Sequence, residues 1–145
     1  MIHLFYDNAL AEREPYQSQV LLLRTIPGIS VLAAMILLTE LVDLTRFPDL
    51  DHLASYVGLI PGSDSSGSKE VDTGLTNRRN PFLRHLLVEC SWVAARKDPA
   101  LLLRFAELNK RMVKPKAIVH IARKLLSRIR FVLKYQQPDV TGVVE

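Results

Sequence analysis

Apolar residues recur at helical spacing on both sides of one long polar stretch of this chain. Recurrence every three or four residues is typical of helices that bury one face. The predicted helices cover about residues 9–24, 31–42, 50–57, 81–94, 99–109 and 114–135. The pattern therefore predicts an all-α, compact multi-helix domain, in which the fifth helix uses Leu102, Leu103, Phe105, Ala106 and Leu108 toward the core.

Start and stop residues support these helix limits. Polar side chains that cap helix N-termini precede four of the predicted helices. These are Ser30, Asp49 or Asp51, Asn80 and Asp98, with Pro81 and Pro99 at first helical positions. Gly28 and Gly58 stand where a chain leaving a helix needs a left-handed residue.

The polar stretch begins at Gly58 and runs to Lys69, with three glycines, a proline and four serines among its twelve residues. Small hydroxyls beside glycines form a linker, a turn, an anion cradle or the seat of a serine nucleophile. The stretch continues without helical spacing to about residue 76, and such long loops inside a compact domain are generally functional or disordered. A weak strand signal over 66–75 adds a short β-hairpin as an expectation.

Thr25 to Ser30, between the first two helices, has the outline of a helix-hairpin-helix. In that motif, main-chain N–H groups at the start of the second helix bind a nucleic-acid phosphate without reading sequence. Pro27, Gly28 and Ser30 would form the contact here. The usual pattern has a glycine where Ser30 stands, and an ordinary turn between helices is the alternative.

Charge is distributed unevenly along the chain. The net charge is +4, with four Lys/Arg and ten Asp/Glu in residues 1–77 against fifteen and five in residues 78–145. The second half is a candidate polyanion-binding surface. Candidate contacts are Lys69, Arg78, Arg79, Asn80 and Arg84 around one helix start, and Lys114 and Lys116 on the last helix. The other basic residues of that helix, Arg123, Lys124, Arg128, Arg130 and Lys134, are predicted to face outward.

Several kinds of chemistry are disfavoured. The carboxylates are scattered and the four histidines stand without partners at ligand spacing, so we expect no metal site in this chain. The single cysteine, Cys90, lies on an apolar helix face and fits a reducing cytosol. The most apolar run, Val31 to Leu38, is far shorter than the roughly 20 residues that span a bilayer. We expect a soluble, cytoplasmic protein without membrane contacts.

Six short motifs stand in an order and spacing that resemble a known family. They are Thr25-Ile26-Pro27-Gly28, Arg46-Phe47-Pro48, Leu53 to Pro61, Ser65-Ser66-Gly67, Leu75-Thr76-Asn77-Arg78 and Phe82 to Glu89. Together they are similar to the C-terminal domain of the insertion sequence 110/116/902 transposases. The resemblance covers about residues 21–134, which divides the chain into an N-terminal extension over 1–20, the domain over 21–135 and a flexible tail over 136–145.

The resemblance implies DNA transposition, a site-specific recombination of DNA guided by a structured RNA. It also implies that a serine before glycine attacks the DNA backbone, which here is Ser66, with Ser65 as the fallback. The family pairs this domain with a carboxylate-bearing domain that holds a divalent metal, expected to be Mg²⁺, and the full-length proteins are homo-oligomers at the prokaryotic nucleoid. We expect this chain to lack that domain, and therefore to be a truncated or partial protein that binds nucleic acid weakly and does not cleave or join strands alone.

Two further hypotheses stay open at this point. The chain could be a non-catalytic helix-hairpin-helix module that holds phosphates through the hairpin and the basic helices, with the serine stretch merely flexible. Alternatively, its apolar helices could serve as an assembly surface for other chains.

Overall fold

The computed structural model describes residues 16–60 and 80–140. These residues form six α-helices and one short 3-10 helix, with no strand among them. The α-helices are α1 Tyr16–Leu23, α2 Val31–Leu41, α3 Leu50–Val57, α4 Pro81–Lys97, α5 Pro99–Asn109 and α6 Lys114–Tyr135, and the 3-10 helix is Leu44–Arg46. The all-α prediction is confirmed, while the weak strand signal over 66–75 lies outside the described residues.

Side-chain caps begin four of the six α-helices, as their sequences predict. The Ser30 hydroxyl accepts the Ala33 N–H at 3.1 Å, and the Asn80 carbonyl oxygen accepts the Leu83 N–H at 3.0 Å. Of the two candidate aspartates for α3, Asp49 is the cap and accepts the His52 N–H at 2.9 Å. The Ser30 and Asn80 bonds are each worth about 1 kcal/mol, because each satisfies a donor that the helix itself cannot pair.

The longest helix, α6, is the element against which the others pack. It contacts α1, α3, α4, α5 and the 3-10 helix, and its 22 residues extend about 33 Å. One side of it is fully apolar and buried, with Ala117, Ile118, Ile121, Ala122, Leu125, Leu126, Ile129 and Val132 facing the core. Helices α1, α3, α4 and α5 thus pack around this one buried stripe, whereas α2 packs on α1 and α4.

The turn between α1 and α2 packs directly on α4 through Gly28. This glycine has φ +90°, and a Cβ at its position would lie 2.6 Å from the carbonyl oxygen of Cys90 and 3.0 Å from the N of Ala94. No side chain fits into that gap, and L-residues rarely adopt this φ. Glycine at this position is therefore required by the packing of the turn on α4, whatever else the turn does.

A polar network connects α5, α6 and the α1–α2 turn. Asp98 is fully buried, caps α5 through the Ala100 N–H at 2.9 Å and pairs with Arg128 of α6. Arg128 also lies 3.6 Å from the carboxylate of Asp139, whose own N–H donates to the Thr25 hydroxyl at 2.8 Å. The segment that follows α6 is thus held on the α1–α2 turn.

The pKa of Asp98 reflects this network. Burial by itself raises the pKa of a carboxyl group, but the hydrogen bond and charge of Arg128 and the N–H groups of Ala100 and Leu101 outweigh it. The pKa of Asp98 is therefore lowered from 3.8. Asp98 is consequently ionised at neutral pH, where a buried charge depends on its arginine partner.

The fifth helix departs from its sequence prediction. It buries Leu101 and Leu108, seven residues apart, whereas Leu102, Leu103 and Ala106 are exposed. The prediction of Leu102 and Leu103 as core residues is wrong, because a run of three leucines fits more than one helical register. No helix in the part of the chain that the structure describes is long and apolar enough to cross a membrane.

Candidate nucleic-acid interface

Most of the predicted serine site falls between α3 and α4. Ser66, its fallback Ser65, and the basic residues Lys69, Arg78 and Arg79 lie in residues 61–79, outside the described residues. The structure does describe the residues on both sides of this segment, which we call its two ends. The contacts of those ends define where the segment joins the fold.

Two hydrogen bonds join these ends directly. The Asn80 N–H donates to the Tyr56 carbonyl at 3.0 Å, and Arg84 Nε donates to the Gly58 carbonyl at 3.0 Å. Gly58 has φ +89° and ends α3, as the sequence predicts. The chain therefore leaves α3 and re-enters at α4 from neighbouring points.

Helix α6 holds the first of these ends from a third side. The Arg123 guanidinium donates to the Leu59 carbonyl at 3.4 Å and forms an ion pair with Asp51 of α3. Leu59 itself is fully buried in the core cluster. The segment that carries Ser66 thus starts and finishes at a junction of α3, α4 and α6.

Asn80 and Arg84, both predicted to contact nucleic acid, make protein contacts. Besides capping α4, Asn80 donates its side-chain amide to the Glu40 carboxylate of α2 at 3.0 Å. Arg84 is exposed, and only its Nε is engaged, so its terminal nitrogens have no partner among the described residues. Asn80 therefore acts as an anchor of the junction, whereas Arg84 also presents cationic nitrogens to solvent.

The hairpin residues do not converge with this junction through any described contact. Pro27 and Gly28 are half-buried, and Gly28 packs against α4. Ser30 is exposed, and its hydroxyl accepts the Ala33 N–H. These contacts account for the turn as an αα connection. Phosphate binding by Pro27, Gly28 and Ser30 stays a prediction.

Lys114 and Lys116 are exposed at the start of α6, where Val113 precedes the helix without a side-chain cap. Lys110 and Arg111, in the turn before α6, are also exposed, and the sequence reasoning did not select them. A signal for them exists in the sequence, because no acidic residue occurs from 108 to 138. The basic surface at this end of α6 is therefore larger than predicted.

The prediction that all basic residues of α6 face outward is wrong for its arginines. Arg123, Arg128 and Arg130 are half-buried and contact other elements, Arg130 through the Pro48 carbonyl at 3.3 Å. By contrast, Lys116, Lys124 and Lys134 are exposed. Planar arginine side chains with several donors suit bonds to carbonyls and carboxylates inside a fold, whereas a lysine ammonium is more strongly hydrated.

The described residues offer neither a cluster of metal ligands nor a reactive thiol. Among residues 16–60 and 80–140, no group of three or more His, Cys, Asp or Glu side chains could hold a metal ion. Burial, and next the charge of Glu89, raise the pKa of the Cys90 thiol to about 11. Cys90 is thus a protonated core residue at neutral pH and a poor nucleophile.

Comparison with known proteins adds the family. A family model described as Transposase IS116/IS110/IS902 family matches residues 20–106. The chain is 37% identical over 89 residues, 59% of its length, to a putative transposase y4qE of Sinorhizobium fredii. It is 31% identical over 121 residues, 83% of its length, to the insertion element IS110 uncharacterized 43.6 kDa protein of Streptomyces coelicolor.

A third relative is the transposase for insertion sequence element IS1111A of Coxiella burnetii, 37% identical over 65 residues, 45% of this chain and 18% of the relative. This protein belongs to the IS116/IS110/IS902 transposase family. The chain spans about a quarter of the first relatives' length, 23% of the Sinorhizobium protein and 29% of the Streptomyces protein. No solved structure matches it significantly.

Proposed function

We propose that this chain is the part of a DNA transposase that binds nucleic acid and supplies the serine nucleophile to a composite active site. The observation that carries the proposal is the junction of α3, α4 and α6. There, Asn80, Arg84 and Arg123 fix both ends of the segment that contains Ser66. A nucleophile has to be held in place to react efficiently, and this junction fixes both ends of the segment to helices.

The proposed reaction is a transesterification of DNA. The Ser66 oxygen forms a bond to a backbone phosphorus, and the bond from phosphorus to one sugar oxygen breaks. The electron pair of the broken bond and a proton go to the departing sugar hydroxyl, which leaves the protein joined to DNA through a phosphodiester. Cationic groups must stabilise the charge on the transferring phosphate, and Lys69, Arg78, Arg79 and Arg84 are the proposed source.

A divalent metal is not assigned to the described residues, because they lack a cluster of ligands that could hold one. In the proposed composite site, the carboxylates and Mg²⁺ belong to another domain of the transposase. That domain, a guide RNA and DNA are the proposed partners, and assembly into a homo-oligomer is proposed for the complete transposase. The isolated chain is accordingly proposed to bind nucleic acid without cleaving it.

The experiment combines this chain with a matched carboxylate domain, guide RNA and end-labelled DNA. A covalent protein–DNA adduct is then measured on a denaturing gel for the native chain, Ser66→Ala and the control Ser65→Ala. We expect Ser66→Ala to abolish the adduct and Ser65→Ala to retain it. An unchanged adduct in Ser66→Ala would remove this serine from the mechanism, and binding without any adduct in the native chain would favour a non-catalytic module.

A further inference from the structure

We propose that the outer face of α6 binds a single-stranded stretch of nucleic acid. The outer face consists of the exposed residues of this helix from Lys116 onward, which are Lys116, Lys124, Ser127, Phe131, Lys134 and Tyr135. The inference rests on the proposed nucleic-acid role of the chain, but it uses a surface separate from the serine segment. This surface also lies beyond residues 20–106, which the family model matches.

The charge of this face comes from the lysines of the helix, because its arginines are paired with other parts of the chain. From residue 108 to residue 138 the chain contains nine Lys/Arg and no Asp/Glu. The acidic residues that approach α6 from other elements pair with its arginines, namely Asp51 with Arg123, and Asp98 and Asp139 with Arg128. Because these carboxylates are already paired with arginines of the same chain, the exposed lysines keep their charge available for a polyanion.

Two aromatic side chains are exposed beside these lysines, Phe131 between Lys124 and Lys134 and Tyr135 directly after Lys134. Phe131 and Tyr135 are 48% and 53% exposed, and their ring centroids lie 5.0 Å apart. Lys134 Nζ lies 5.2 Å from the Tyr135 ring centroid. Most large apolar side chains of α6 are buried, so two half-exposed rings on its charged side have no role in the described core.

The combination favours a single strand over a duplex. Lysines hold the phosphates of either form, but aromatic rings contribute only where bases are unstacked and can lie against them. Lys124 and Lys134 flank Phe131 along the helix and are separated by about 15 Å, at 1.5 Å per residue. A strand lying along this face could place its phosphates on the lysines and a base on the rings.

The test measures affinity of the full chain by fluorescence polarisation, with a labelled oligothymidine and a duplex of equal length as probes. The charge variant is Lys124→Gln/Lys134→Gln, and its control is Arg96→Gln/Lys97→Gln, which removes two exposed cations from the end of α4. The ring variants are Phe131→Ala and Tyr135→Ala. Circular dichroism checks that every variant keeps its helices.

For single strands, each lost phosphate contact makes the slope of log affinity against log salt about 0.7 less steep. The charge variant loses two such contacts, so its slope should be about 1.4 less steep than that of the native chain. The control should keep the native slope. Each ring variant should weaken oligothymidine binding about tenfold and leave duplex binding unchanged, since a stacked base contributes enough for such a loss. A matching loss in the control, or ring variants that weaken both probes equally or neither, would overturn the inference.

The variant Arg78→Gln/Arg79→Gln separates this inference from the proposed function. If it weakens binding while the α6 variants bind like the native chain, the inference fails and the proposed role of the serine segment stands. If the α6 variants alone weaken oligothymidine binding, the inference stands even when Ser66 proves not to be the nucleophile.

Discussion

The basic residues on the two sides of α6 have different roles. We call the side turned toward α3 and α5 the inner side, and the side that carries the outer face the outer side. On the side turned toward α3 and α5, Arg123 and Arg128 are paired with Asp51 and Asp98 and contribute to the fold. On the other side, Lys116, Lys124 and Lys134 are exposed without acidic partners among the described residues. The number of basic residues on a helix therefore does not tell how many of them are available to bind a polyanion. Some of them are already paired with carboxylates and carbonyls of the same protein.

The largest expected effect tests the inner side at its most buried point. Arg128→Met leaves the fully buried Asp98 carboxylate without its cation. Removal of one partner of a buried pair costs about 3–5 kcal/mol of unfolding free energy. Urea unfolding followed by circular dichroism measures it. The double variant Arg128→Met/Asp98→Asn should recover most of the loss, and failure to recover would mean that Arg128 acts through packing instead of charge.

The pair of Asp98 and Arg128 also makes the free energy of unfolding depend on pH. Since the folded pKa of Asp98 is lowered from 3.8, its stabilising contribution is present above that value and is lost as pH falls through the lower folded pKa. The stability difference between the native chain and Asp98→Asn should therefore be constant near neutral pH and shrink below about pH 4. Urea unfolding at pH 6 and pH 3 tests this, and an equal difference at both values would contradict it.

A smaller effect is expected at the junction that holds the serine segment. Arg123→Gln removes an ion pair with the exposed Asp51 and a bond to the Leu59 carbonyl. Because the pair is partly exposed, the expected cost is about 1 kcal/mol. Urea unfolding gives the global cost, and hydrogen exchange at Leu59 and Asn80 reports on the junction. If exchange there is no faster than in the native chain, Arg123 does not hold the segment's ends.

The smallest stability effect is expected on the outer side. Lys116→Gln, Lys124→Gln and Lys134→Gln should each change the unfolding free energy by less than about 0.5 kcal/mol, because exposed charges without partners contribute little. Thermal unfolding of the three variants beside the native chain measures this. A loss above 1 kcal/mol in any of them would show that the lysine concerned belongs to the fold.

The sequence predicted local features of the fold well and the junction poorly. Caps such as Asn80 and the end of α3 at Gly58 depend on neighbouring residues, so their residue types reveal them. The contacts of Arg84 with Gly58 and of Arg123 with Leu59 span 26 and 64 residues. Helical spacing places such arginines on a polar side but does not tell which carbonyl they meet.

For the candidate site, the sequence predicted which residues take part better than it predicted how they are arranged in space. The motif order identified the family and the serine segment before any geometry was known, and the family model confirms that membership. The separation of lysines from arginines on α6 depends on where Asp51, Asp98 and Asp139 fall in three dimensions. That information is carried by tertiary packing and is not visible in the spacing of charges.

The most direct test of the difference between the two sides compares adjacent residues of α6, Arg123 and Lys124. It measures the salt dependence of oligothymidine binding in Arg123→Gln and Lys124→Gln, which remove the same charge one position apart. We predict a slope smaller by about 0.7 in Lys124→Gln and a native slope in Arg123→Gln. Equal slopes in the two variants would contradict the assignment of one side to the fold and the other to nucleic acid.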